Sequence, residues 1–397
     1  MNILFPYMAR WKAINWQRFQ QLLVVIAQKG HNVHILQSPR LKESLENAYQ
    51  DIDVSLPPTM FLHEVSVPQW MWNLRLPLGK LFRKGIVTIA QASAIREFIG
   101  KYAIDVAILY NIPQYLVGLN ASCLKVFDLV DDLPAMLGYE VPWILRGSVV
   151  RIGNLFHRRL LRSCDLITAT TLALGEQFGA MQADIIPNAV SMRDVEQANC
   201  DGYRRLYNAP IIGFFGAFEY FMNFDLVLAA AQRLERATFF LVGGGRQLDS
   251  VRSRASHMGL KNVVFTGPVP YWEGLNHVAA MDVCLIPFRK CSVAESALPL
   301  KLFQYAGLKK PIISTSVREV RRVAESFVTF VDGVDDMVSA IESIVNHPDA
   351  YREKIREGYR LVTDTYNWDM VADSFIKLLE DRLTQIRKDA SYCEQFP

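Results

Sequence analysis

The sequence predicts an α/β protein built from two Rossmann-like domains. Short apolar runs alternate with longer amphipathic stretches along the whole chain, the pattern of a parallel sheet covered by helices. The pattern also runs through two successive series of strands. At 397 residues and 51% hydrophobic, the chain exceeds the size at which a single core keeps growing.

The first unit shows the logic. Ile3 to Phe5 reads as a strand. Phe19, Leu22, Leu23, Ile26 and Ala27 then recur at helical spacing, opposed by Gln17, Arg18, Gln21 and Gln28, and Gly30 supplies the stop. Val33 to Leu36 follows as the next strand, and further strands are expected at 60–62, 106–109, 126–130, 166–169 and 185–186. A second series is expected at 211–215, 239–242, 263–266, 284–287, 312–315 and 328–331. The resulting division is an N-terminal domain over 1–190, a polar linker over 191–208 and a C-terminal domain over 209–370. A closing helix over 371–397 is expected to pack back on the N-terminal domain. Ligand is expected in a cleft between the domains, at the carboxyl ends of strands.

Composition excludes several classes. Forty-three Lys plus Arg against 40 Asp plus Glu give a net charge of +3, which argues against a dedicated nucleic-acid binder. The six cysteines form no Cys-x-x-Cys pair and have no histidine at ligand spacing, so neither a zinc site nor a disulfide framework is expected. The N-terminus begins as a strand, and no apolar run is long enough to span a bilayer. A cytoplasmic protein is the expectation.

Gly243-Gly244-Gly245 directly follows the strand at 239–242 and precedes a helix beginning near Leu248. Amides there could face a phosphate or sugar hydroxyl; equally, the turn could simply require left-handed backbone. Arg289, Lys290 and Lys301 are expected to converge at one end of the sheet, where a departing diphosphate needs positive charge. Each could instead be an ordinary solvated cation. Lys301 is the stronger candidate because Leu300, Leu302 and Phe303 around it are apolar.

Four stretches carry a family resemblance. They are Gly267-Pro268-Val269-Pro270-Tyr271, Met281 to Phe288, and Pro299-Leu300-Lys301-Leu302-Phe303-Gln304-Tyr305 with Lys310-Pro311-Ile312-Ile313. In order and spacing they resemble the donor-binding half of GT-B glycosyltransferases, and within these the retaining family four in a branch that assembles bacterial cell-surface polysaccharides. Gly213 to Ala217, Ile186-Pro187-Asn188, Phe127 to Asp132 and Trp16 to Leu22 extend the resemblance over nearly the whole chain.

The resemblance implies two domains facing each other across a cleft, and a nucleotide-diphosphate sugar as co-substrate with no further cofactor and no metal. It implies donor contacts at Gly216, Gly243, Gly244, Ser296, Lys301, Leu302 and Gln304, with Lys301 and Arg289 meeting the diphosphate. Arg18, Asp131 and Asp132 would serve the acceptor side, Asp131 by orienting or deprotonating a hydroxyl. Both aspartates could equally be a helix cap. Where the family places two glutamates, this chain has Ser296, beside Glu295, and Gln304; Leu133 and Ala189 replace a histidine and a glycine. Asp51-x-Asp53 matches a metal-binding pattern only formally, as it precedes rather than follows an apolar strand.

Two stretches mix cations with apolar residues and contain no acid. Gln69 to Gly85 holds Trp70, Trp72, Leu74, Leu76, Leu78, Leu81 and Phe82 with Arg75, Lys80, Arg83 and Lys84. Trp143 to Arg162 holds Arg146, Arg151, Arg158, Arg159 and Arg162 among aliphatic residues. Such helices suit an anionic membrane surface, which would put a lipid-linked acceptor within reach at the inner face of the plasma membrane. Alternatively the apolar residues are core and the cations line a solvated face. The expected activity is hexosyl transfer from a nucleotide sugar to a lipid-linked or oligosaccharide acceptor. A sugar-nucleotide epimerase or hydrolase on the same fold, or a binding subunit that has lost turnover, are the competing readings.

Overall fold

The computed structural model describes residues 1–12, 16–39, 54–68, 70, 79–180, 182–200, 202–207 and 209–395. Two compact units emerge. One comprises Met1–Ala13, Phe19–Pro187 and Asp369–Pro397; the other comprises Ile14–Arg18 with Asn188–Trp368.

The first unit is a parallel sheet of seven strands: β1 Asn2–Pro6, β2 Asn32–Gln37, β3 Met60–Glu64, β4 Val106–Leu109, β5 Leu124–Leu129, β6 Leu166–Ala169 and β7 Asp184–Ile185. Their order is β3-β2-β1-β4-β5-β6-β7, so the winding reverses between β1 and β4. Central strands covered by helices on both faces need apolar side chains on both, and all four residues of β4, Val-Ala-Ile-Leu, are buried. The helix Trp368–Gln395 supplies the last piece. From Asp369 onward it belongs to this unit and buries Val371, Ala372, Phe375 and Leu379. Asp373 pairs with Lys29 at 2.8 Å, and Arg382 donates to the Asp165 carbonyl at 3.2 Å.

The second unit repeats the design with β8 Ile211–Phe215, β9 Thr238–Val242, β10 Val263–Gly267, β11 Val283–Ile286, β12 Ile312–Thr315 and β13 Val328–Val331. The order β10-β9-β8-β11-β12-β13 again reverses in the middle, between β8 and β11. Parallel register sets Phe215 beside Val242 and Ile286 beside Ser314, which brings the glycine turns and Pro287 to one edge of the sheet. Open α/β sheets bind ligands at that place, beyond the carboxyl ends at a switch point. The expected linker region is not bare chain. It contains the helix Met192–Gln197, capped by the Ser191 hydroxyl and anchored by buried Val195.

His157, on the helix Trp143–Ser163, is fully buried. Its ring meets Phe127 and Phe178 edge-on, with centroids 5.4 and 4.5 Å away, and neither ring nitrogen has a partner among the described residues. Burial pushes its pKa down to about 4. The unfolded chain therefore takes up a proton near pH 6.5 that the folded chain refuses until about pH 4. Stability is full above pH 6.5 and declines as pH falls through that window, by up to about 1.4 kcal/mol per unit. His157→Leu is expected to flatten this decline, raising Tm more at pH 5.5 than at pH 8; an equal shift at both would exclude the histidine as the cause.

Candidate functional site

The carboxyl edge of the second sheet is built from backbone packed on backbone. Gly216, with φ +139°, donates its amide to the Val242 carbonyl at 3.0 Å. Gly243, with φ +123°, donates to the Gly267 carbonyl at 3.1 Å. A Cβ on Gly243 would lie 2.1 Å from the Gly216 oxygen, and one on Gly244 would lie 2.6 Å from the Pro268 ring. Close approach is thus what these glycines provide. The Gly243 amide is bonded within the fold, which is the turn reading of this glycine.

Over this edge stands Lys301, in the first turn of the helix Leu300–Gly307. Its ammonium lies 4.0 Å from the centroid of the Phe214 ring, and it would come within 3.1 Å of a Cβ placed on Gly216. The residue keeps an opening to solvent, yet no carboxylate or hydrogen-bond acceptor among the described residues engages it. Desolvation pulls its pKa down to about 7. A cation so placed, with an aromatic face on one side and a bare glycine on another, is suited to receive an anion.

The three cations do not share this role. Arg289 is held away by its own neighbours, with Nε donating to the Met222 carbonyl at 3.1 Å and the guanidinium paired with Asp225 at 2.7 Å. Asp225 also pairs with Arg254. Lys290 pairs with Asp332 at 3.0 Å. Carboxylates remote in sequence, one from the helix Phe224–Arg233, thus engage Arg289 and Lys290, and neither engages Lys301.

The remaining donor-side residues are also committed locally. Ser296 is buried and turns its hydroxyl back to the Ser292 carbonyl at 3.0 Å. Glu295 accepts the Arg318 amide at 2.6 Å, capping the helix Arg318–Ala324. Gln304 is buried and shares a side-chain hydrogen bond with Tyr271, whose hydroxyl is pushed well up by burial. The Leu302 side chain is fully buried in the hydrophobic core, and its amide donates to the Pro299 carbonyl at 3.1 Å.

Arg18 groups with the second unit rather than the first. It is buried, donates to Asn188 Oδ1 at 3.4 Å and lies 5.9 Å from the Trp368 ring centroid. Asn188 in turn donates to the Leu298 carbonyl at 2.7 Å, just before the lysine helix. Sequence reasoning missed this Asn188 link, the Phe214 ring beneath Lys301 and the Tyr271 partner of Gln304. None had a spacing signal; they meet only through the strand order.

In the first unit Asp132 is a helix cap. One carboxylate oxygen accepts the Ala135 amide at 3.0 Å and the other accepts from Gln177 at 2.6 Å, with the residue buried. Both oxygens are engaged, and the cap is the role these bonds give it. Asp131 beside it is half-buried. Asp51 and Asp53 lie outside the described residues, among which no group of three His, Cys, Asp or Glu could hold a metal ion.

Residues 209–347 match the family described as glycosyl transferases group 1. The matched stretch lies within the second unit. Among relatives of the whole chain, a Bacillus subtilis protein named as a teichuronic acid biosynthesis glycosyltransferase is 24% identical over 172 residues, spanning 42% of each chain. An Escherichia coli O-antigen chain mannosyltransferase is 23% identical over 263 residues, 62% of this chain and 69% of that one. This chain thus spans about two fifths of the first relative. Sucrose-phosphate synthase from Thermosynechococcus elongatus has the same fold, with TM-score 0.76 and 14% identity over 97% of this chain and all of that one. HepE of Anabaena, solved with UDP and glucose, aligns with TM-score 0.67 and 14% identity over 96% and 100%. The fold is GT-B.

Three substitutions at two positions test the turn and the cap. Gly243→Ala places a methyl against a carbonyl at an unfavourable φ, and is expected to cost roughly 3 kcal/mol or more in urea unfolding. A cost below about 1 kcal/mol would mean the turn relaxes freely. Asp132→Ala is expected to lose about 1 kcal/mol while Asp132→Asn loses less, the order of cap strengths; equal stability of all three forms would remove the cap assignment.

Proposed function

We propose that this chain is a glycosyltransferase that moves a hexose-type unit from a nucleotide-diphosphate sugar to a hydroxyl of a lipid-linked surface-glycan precursor. The observation that carries the reading is Lys301, an ammonium without a counter-charge at the ligand-binding edge of a group 1 glycosyl transferase domain. The relatives named for teichuronic acid and O-antigen assembly support the acceptor class, and the UDP and glucose held by HepE support a nucleotide sugar.

Breaking the bond between sugar and diphosphate puts negative charge on the leaving oxygen. Lys301 would neutralise it, in surroundings where a cation counts for more than in water. The helix that carries Lys301 also carries Gln304, whose amide can exchange hydrogen bonds with ribose hydroxyls in place of a carboxylate. Asp131 remains the acceptor-side candidate for orienting the attacking hydroxyl. Retention of anomeric configuration follows from the resemblance to family four, and work at the cytoplasmic face from the lipid-linked acceptor. A second reading is favoured by one observation: Glu295 is spent on a helix cap, and neither Ser296 nor Gln304 supplies a carboxylate. In that reading the chain binds nucleotide sugar with little turnover, so nucleotide would raise Tm without sugar release.

A lysine with pKa about 7 is partly neutral at neutral pH, and a diphosphate binds its charged form. Affinity for UDP or GDP is therefore expected to fall between pH 7.5 and 8.5, by up to about tenfold. Lys301→Arg stays charged and should flatten the dependence, while Lys301→Met should weaken binding about ten- to a hundredfold at pH 7.5. Titration calorimetry reads all three; unchanged affinity in the methionine variant would remove Lys301 from the diphosphate site.

A further inference from the structure

The helix Trp143–Ser163 has two faces of opposite use. Inward, Gly153, His157, Leu160 and Leu161 are buried. A Cβ on Gly153 would touch Pro134, so the helix lies close against Leu133–Gly138. That inner face is a complete packing surface. Outward, Ile144, Ser148, Ile152, Leu155 and Arg159 follow one another at intervals of four, four, three and four, a single stripe along the helix.

This outer face exposes large apolar side chains. Trp143 is 79% exposed, Ile144 71%, Leu145 51%, Ile152 56%, Leu155 50% and Phe156 40%. Leu116, 44% exposed, extends it from the helix Tyr115–Asn120, whose Tyr115 ring meets Phe156 edge-on. So many large apolar side chains in water on one helix mark an interaction surface. The alternative expectation, that these residues are core, is corrected by their exposure.

Charge identifies the occupant. Arg151, Arg158 and Arg162 have no ion-pair or hydrogen-bond partner among the described residues, and Arg159 lies only against the Phe156 ring at 5.9 Å. No acid occurs between Trp143 and Arg162. Apolar side chains and unpaired arginines sharing one exposed face, with an exposed tryptophan at the first turn, fit an interface with an apolar interior and an anionic surface layer. A second copy of this surface would set arginine against arginine.

We infer that the outer face of Trp143–Ser163 docks on an anionic lipid surface, with its axis in the plane of the membrane and Trp143, Ile144, Leu145, Ile152, Leu155 and Phe156 immersed among the headgroups. It deepens the proposed transfer to a lipid-linked acceptor, but it rests on this face alone and stands or falls apart from the donor site. No helix of the described residues is long and apolar enough to cross a membrane, so the contact is a surface one.

The test uses the full chain and co-sedimentation with vesicles of phosphatidylcholine alone or with 30% phosphatidylglycerol, roughly the anionic content such helices require. Binding is expected only to the anionic vesicles. Arg158→Glu/Arg159→Glu and Ile152→Ser/Leu155→Ser should each lower it about tenfold or more, with UDP affinity and Tm unchanged. Because all four side chains are exposed, a fold defect would show as a shifted Tm; salt then serves as the second measure, with 0.5 M NaCl, where the Debye length falls to about 4 Å, releasing most wild-type protein. Equal binding to neutral vesicles, binding unaffected by both variants, or an exposed face that instead drives wild-type dimerisation in sedimentation velocity would each overturn the inference. Loss of UDP binding in the wild type would remove the donor reading and leave this one intact.

Discussion

A cation partly withdrawn from water without a counter-charge is costly, and the second unit holds Lys301 in that state. The surrounding edge is shaped to permit it. Gly216 leaves space where a side chain would collide, Phe214 offers a ring face, and the tight crossing of Gly216 with Gly243 keeps both turns in place. The nearby cations Arg289 and Lys290 are satisfied by Asp225 and Asp332. One charge is left over. The Phe214 ring is the one stabilising contact it has among the described residues.

The fold was legible because its signals are local. Four-residue runs such as Val106–Leu109 are buried on both faces and show as continuous apolar stretches, and glycines mark the turns after β8 and β9. The two units and their parallel sheets follow from that alternation. The helix beginning at Leu248 could be read for the same reason.

The side-chain chemistry was less legible, since it depends on partners far away in sequence. Asp225 reaches Arg289 across 64 positions, and Asn188 reaches Leu298 across 110. Nothing near Arg289 announces that its charge is already met. Asp132 differs, because a carboxylate before Leu-Pro-Ala is a local cap signal, and the weighing of catalysis against capping turned on whether both oxygens were taken. For the basic helix, periodicity alone could not say which stripe faces inward. Both stripes carry aliphatic residues, and only the position of Gly153 against Pro134 fixes the orientation.

The helix Trp368–Gln395 gives the first unit a non-contiguous origin. Its sheet is laid down by residues before Pro187, while Val371, Phe375 and Leu379 come from the far side of the whole second unit. During synthesis the second unit can therefore finish its core while the first still exposes the apolar surface that this helix covers. Order of emergence and order of completion are reversed for the two units, and the first must wait, incompletely covered, for the chain to return.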